Sequence, residues 1–117
     1  MAHYRLTRSA KADIGSILRT SEERHGCDAR IRDAALLLAA MRRVAEDPEG
    51  RSSSDRSELR PGIRSFHVRH SRGESRELPV ANPVHVIFYR VLQSGIVEIV
   101  RVLHERMEPR WHLGSLD

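Results

Sequence analysis

Apolar residues recur at helical spacing in the first half of the chain and run in β-branched blocks in the second. Ala10, Ile14, Ile17 and Leu18 fall on one face of a helix, with Lys11, Asp13, Arg19, Glu22 and Glu23 on the other. Thr7 or Ser9 is placed to cap its start, and Gly26 to end it as a left-handed residue. A second helix follows almost at once, with Asp28 as its cap. Ile31, Ala34, Ala35, Leu38, Met41 and Ala45 form its stripe, Leu37 and Val44 widen it, and Pro48 and Gly50 stop it. So short a link between two helices predicts an antiparallel hairpin.

The strands read less evenly. His3 to Leu6 alternates weakly and predicts a short strand. Arg51 to Glu58 is polar, with three consecutive serines, and reads as an exposed loop that contributes nothing to a core. Pro61-Gly62 marks a turn before a strand from Ile63 to Arg69, with Phe66 and Val68 on one face. Ser71 to Pro83 is broken by Gly73, Pro79 and Pro83 and predicts a long, mobile connection. Val84 to Leu92 is the strongest strand, Gln93-Ser94-Gly95 a tight turn, and Ile96 to His104 its partner. Both are apolar on two faces, as central strands are. Glu105 to Asp117 is a tail with one helical turn before Trp111. The expected fold is α+β: an N-terminal strand and an antiparallel helical hairpin packed on an antiparallel sheet, in the order β-α-α-β-β-β, with a short C-terminal helical turn.

A chain of 117 residues fits one domain, 1–117, and can bury a core without staples. One cysteine, Cys27, rules out an internal disulfide and suits a reducing compartment. No apolar run approaches the roughly 20 residues of a membrane span, and the N-terminus lacks the apolar stretch of a signal peptide. The expected location is the cytoplasm. The net charge of +4 is almost all arginine, Lys11 being the only lysine. A GC-rich genome accounts for that bias by itself; arginine's planar fork, which suits carboxylates and phosphates, is the functional explanation.

Candidate chemistry is sparse. The seven histidines and one cysteine show no close ligand pair, and His67 and His70 point to opposite faces if both lie on a strand. No metal and no cofactor are expected. Cys27, in the turn between helices, is more simply a small turn residue than a nucleophile. Neither a nucleophile-elbow motif nor a glycine-rich phosphate loop is present. Acid–base cleavage of RNA is the serious enzymatic alternative, with Arg101, His104 and Arg106 as its residues and Tyr89 as a stacking group or proton donor. The simpler explanation is that Tyr89 and His104 fill sheet positions while arginines pair with Glu98 and Glu105. In the tail, Arg106, Met107, Arg110, Trp111, His112 and Leu113 crowd apolar and cationic groups together. Trp and Arg are enriched at binding hot spots; the competing explanation is that Trp111 and Leu113 fold back over the sheet.

Several runs together resemble the ParE branch of the RelE/ParE toxin superfamily. They are Tyr4-Arg5-Leu6-Thr7 with Ala10-x-x-Asp13-Ile14-x-x-Ile17, then Arg60-Pro61-Gly62-Ile63-Arg64-Ser65-Phe66. His85-x-Ile87-Phe88-Tyr89-Arg90, Ile99-Val100-Arg101-Val102-Leu103-His104-x-x-Met107-Glu108 and Arg110-x-His112-Leu113 complete the pattern. The resemblance covers nearly the whole chain and is most specific from His85 to Leu113. It implies the same fold and a role as toxin of a type II toxin–antitoxin module. In that role the chain is not an enzyme: it inhibits DNA gyrase by binding, and a ParD-like antitoxin neutralises it. RelE-like relatives instead cut mRNA on the ribosome, the runner-up here. The partner-binding residues expected are Arg69, Arg90, Arg106, Met107, Arg110, Trp111, His112 and Leu113. The Ser71–Pro83 loop is longer than in compact members.

Overall fold

The computed structural model describes residues 3–114; the last three positions of the predicted tail lie outside them. Strand β1 (Tyr4–Leu6) leads into helix α1 (Arg8–His25) and helix α2 (Cys27–Glu46). Strands β2 (Ser53–Asp55), β3 (Arg64–His67), β4 (His85–Val91) and β5 (Val97–His104) follow. Two 3₁₀ turns, Val68–Ser71 and Pro109–Trp111, end β3 and the tail. The two helices pack on one face of a five-stranded sheet ordered β1-β5-β4-β3-β2. The α+β class and the hairpin are as the pattern predicts.

Local chemistry sets the helix limits. Thr7 is the cap of α1: its Oγ1 accepts from Ala10 N–H at 3.0 Å. Gly26 ends α1 with φ +92°, a value that favours glycine, and its N–H donates to the Glu22 carbonyl. Gly26 itself precedes α2, so Asp28 falls inside the first turn and supplies no side-chain cap.

The sheet differs from expectation in three ways. First, it is mixed. β1 runs parallel to β5, while β5, β4, β3 and β2 pair antiparallel. Three residues of strand carry no signal of direction, and β1 finds a partner at the far end of the chain. Second, the polar stretch after α2 holds β2, an edge strand with no apolar side chain. It is held by its ladder to β3 and by Ser53, whose hydroxyl meets Tyr89 Oη and the Pro48 carbonyl. Third, the strand predicted to reach Arg69 stops at His67, and Val68 enters the core from a 3₁₀ turn. The 71–83 connection is also tethered: Arg72 Nε donates to the Val80 carbonyl at 2.7 Å and Arg43 pairs with Glu74 at 2.9 Å.

Helix α2 buries Leu36, Leu37, Ala40, Met41 and Val44. That face is rotated from the predicted stripe, leaving Ile31 46% and Leu38 38% exposed. Two cores result, one on each face of the sheet. The larger joins the helices to Phe66, Ile87, Tyr89, Ile99 and Val102; the smaller joins Ile63, Phe88, Val100, Leu103 and Leu113. Central β4 and β5 are therefore apolar on both sides, as their sequences require.

Candidate partner-binding surface

A register shift between Phe88 and Tyr89 places a bulge in β5, so that Arg101 faces Phe88 and Ile99 faces Tyr89. A bulge re-aims side chains and takes backbone groups out of the ladder. Beside the bulge, two backbone groups of β5 find side-chain partners. Thr7 Oγ1–H donates to the Val100 carbonyl at 2.7 Å, and Val102 N–H donates to Asp13 Oδ2 at 3.0 Å. The re-aimed residue is Arg101. It meets Asp13 of α1 through two bonds of 2.7 and 2.8 Å and donates a third to the His112 carbonyl at 2.9 Å. The hydrogen bonding that Asp13 accepts from it raises the Arg101 pKa. Arg101 is thus a clamp joining helix, sheet and tail. It is not available for phosphate, which removes it from the nuclease alternative. Tyr89 leaves that alternative too: it is fully buried, with its hydroxyl on Ser53 and Pro48.

Arg90 and Arg5 both bind Glu98, a carboxylate buried to 6% exposure, in a cross-strand ladder. Burial alone would raise the Glu98 pKa; the bonds from Arg90 and Arg5 outweigh it and leave it lowered. Arg90 therefore supports the sheet near the β4–β5 turn, at the opposite end of the ladder from the paired His85 and His104.

At that other end β3 and β5 close with the same device. His67 Nδ1 accepts from Arg69 N–H, and His104 Nδ1 accepts from Arg106 N–H, both at 3.1 Å. Each neutral imidazole must then carry its proton on Nε2. That proton of His67 goes to Glu105 Oε1 at 2.7 Å, a bond that lowers the Glu105 pKa. His85 stands edge-on to His104, ring centroids 5.8 Å apart, and burial pushes its pKa down, with His104 adding to the effect.

The tail divides sharply. Glu108 Oε1 accepts from Arg110 N–H and Pro109 opens the 3₁₀ turn, the predicted helical turn before Trp111. Leu113 then folds under the sheet at 2% exposure, while Trp111 stands out at 83%. Of the two explanations for these residues, folding back holds for Leu113 and not for Trp111. Leu113 packs and presents no contact surface. His112 is half-buried, its carbonyl spent on Arg101. Arg106, Met107, Arg110 and Arg69 are exposed. Among the described residues, the Arg110 guanidinium has only a 3.6 Å contact with Glu108.

Beside the tail, a groove of about 760 Å³ runs between the helical hairpin and residues 80–84. Ile17, Leu36, Val80 and Val102 give it apolar walls, Arg24 and Arg32 basic groups beside the acidic Asp13 and Asp33, and His85, His104 and Met107 its tail end. Among the described residues, Ser21 Oγ, buried in its wall, has no hydrogen-bond partner. Met107 also borders a smaller hollow of about 350 Å³ with Arg56, Phe88 and Arg106. The helix residues of the groove are not site candidates in the sequence, where Ile17 and Leu37 read as apolar helix-face positions. Among the described residues, no group of three histidine, cysteine or acidic side chains is placed to hold a metal ion.

A family model described as "ParE toxin of type II toxin-antitoxin system, parDE" matches residues 4–109. The chain belongs to this family. It is 40% identical over 115 residues to Toxin ParE1 of Caulobacter vibrioides, covering 97% of this chain and 100% of that protein. It is 32% identical over 107 residues to Toxin ParE1 of Mycobacterium tuberculosis, covering 92% and 93%. The fold matches a chain of the structure titled "Chromosomal ParDE TA system from P. aeruginosa", with a TM-score of 0.63, 15% identity, and 89% and 96% of the two chains covered. The RelE-like alternative is not favoured. No helix of the ParE chain, among the described residues, is long and apolar enough to cross a membrane.

Proposed function

We propose that this ParE-family chain is a cytoplasmic toxin that stops growth by binding DNA gyrase, without catalysis of its own, until a ParD-like antitoxin neutralises it. One observation supports target binding above the rest. Trp111 is 83% exposed on a tail that Leu113 and Arg101 hold against the sheet. A large aromatic side chain held open on a fixed base, with Met107, Arg106 and Arg110 on the same short segment, has the composition and pre-organisation of a binding anchor. Arg69 extends the cationic surface from the end of β3.

The antitoxin segment suits the groove. Its apolar walls fit the apolar face of a helix, and Arg24 and Arg32 in its lining fit carboxylates. An acidic-apolar segment that is disordered alone and folds on docking has that chemistry. Met107 borders both the groove and the tail hollow, so an occupant of the groove also covers part of the target surface.

The test is a supercoiling assay with purified gyrase and the purified chain. Inhibition is expected from the native chain. Trp111→Ala is expected to lose at least tenfold in potency, while its unfolding free energy changes by less than about 0.5 kcal/mol, as for an exposed residue. Absence of inhibition at saturating toxin overturns the gyrase target, and mRNA cut within codons in a translation reaction would restore the RelE-like alternative.

A further inference from the structure

Helix α2 carries two overlapping apolar faces, and the fold uses one. Leu36, Leu37, Ala40, Met41 and Val44 go to the core. Cys27, Ile31, Ala34, Leu38, Met41 and Ala45 follow one another at alternating steps of four and three, the spacing of a coiled-coil seam. Only Met41 of that seam is buried. Ile31 and Leu38 remain 46% and 38% exposed, and Cys27 is exposed beside them.

The charges along the seam identify what covers it. One step beyond Cys27, Ala34 and Met41, on the solvent side, lie Asp28, Ala35 and Arg42. Asp28 and Arg42 are both exposed and lie equally far from Ala35 in opposite directions. In an antiparallel pair of α2 helices related by a two-fold axis beside Ala35, Asp28 of each copy faces Arg42 of the other. The seam layers, centred one residue further along at position 36, set Ala34 against Leu38 of the second copy and Cys27 against Ala45, while Ile31 faces the turn whose Met41 side chain stays in the core. Leu38 meets an alanine, and the two alanines near the axis allow close approach. A patch whose apolar and charged positions both satisfy one two-fold operation is what an isologous interface requires.

We propose that the chain self-associates through α2, antiparallel and two-fold about Ala35. None of the seam or flanking positions lines the groove, so the groove stays open in the dimer. The inference does not depend on the gyrase reading. A single helix pair buries less than the roughly 1,200 Å² of a standard stable interface, so the dimer is weak, micromolar or higher in dissociation constant.

Sedimentation equilibrium of the full chain, from about 1 μM to 1 mM, reads it directly. A concentration-dependent dimer is expected. Leu38→Glu should weaken it tenfold or more, with circular dichroism confirming the fold. Asp28→Arg should weaken it severalfold, and adding Arg42→Asp to that variant should restore it. This charge swap decides the matter even if Leu38→Glu fails to fold. Ala35→Cys, in a Cys27→Ser background, should oxidise to a covalent dimer. Native Cys27 should not, because in this register the two copies lie about 27 Å apart along the helix axis. A monomer throughout the range, a dimer indifferent to the charge swap, or covalent pairing through Cys27 would overturn the proposal.

Discussion

Arg101 and Arg106 are five residues apart on the same run of chain and have nothing else in common. Arg101 sits at a bulge in a central strand, and Asp13 of α1 and the carbonyl of His112 take its donors. Arg106 sits just past the strand end, exposed, at the rim of a hollow. The first is architecture and the second is surface. The same division repeats within the tail, between Leu113 beneath the sheet and Trp111 above it. In this fold a few residues at the end of β5 change from holding the molecule together to facing whatever it binds, and residue type gives no warning of the change.

The contrast can be broken most decisively at the clamp. Arg101→Ala leaves Asp13, whose side chain is 14% exposed, without its partner, and removes the tail's anchor. Losing one member of a largely buried ion pair costs about 3–5 kcal/mol. Arg101→Lys should recover little, because an ammonium cannot reproduce the two-pronged contact. Urea unfolding measures both. A loss no larger than for an exposed arginine would show the clamp to be incidental. Next in size is Leu113→Ala, which empties a site among Ile63, Phe88, Val100 and Leu103 and should cost about 2–4 kcal/mol. Thermal melts of this variant against Trp111→Ala separate the two faces of the tail, since only the first should melt early.

The smallest expected effect is the pH dependence at His85. Burial holds its imidazole below the ordinary value of 6.5, so the folded chain binds this proton less readily than the unfolded chain. Its contribution to stability is present above pH 6.5 and is lost as pH falls below that value. Urea unfolding at pH 7.5 and 5.5 should show native stability dropping, and His85→Gln should flatten the drop. It should not abolish it, because burial and neighbouring charge lower His70 in the same way. An unchanged slope in His85→Gln would remove His85 from the account.

How much was legible depended on how far away the deciding partner lay. The Thr7 cap, the hairpin, the turn at Gly95 and the central position of β4 and β5 rest on neighbours or on the apolar character of the strand itself. All could be read. The parallel pairing of β1 and the existence of β2 could not. Each rests on backbone bonds to strands distant in sequence, and neither strand has side chains that announce it. The α2 stripe was read as one face when the helix carries two, and the sheet, not the periodicity, selects the face that is buried. The candidate list of partner-binding residues joined Leu113 and Arg90, which the fold commits, to Trp111, Arg106 and Met107, which it leaves exposed.

The sequence by itself determined the two helices, the strands other than β2 and their order, the family and the stretch of chain where apolar and cationic groups concentrate. Tertiary structure alone assigned the arginines. Nineteen of them share one side chain and one charge, and each takes its role from what folding brings within about 3 Å. For Arg101 that is an aspartate 88 residues away. For Arg90 and Arg5 it is one buried glutamate between two strands, and for Arg106 it is open solvent. A side chain's chemistry is local, but whether that chemistry is already satisfied depends on contacts that no local pattern records.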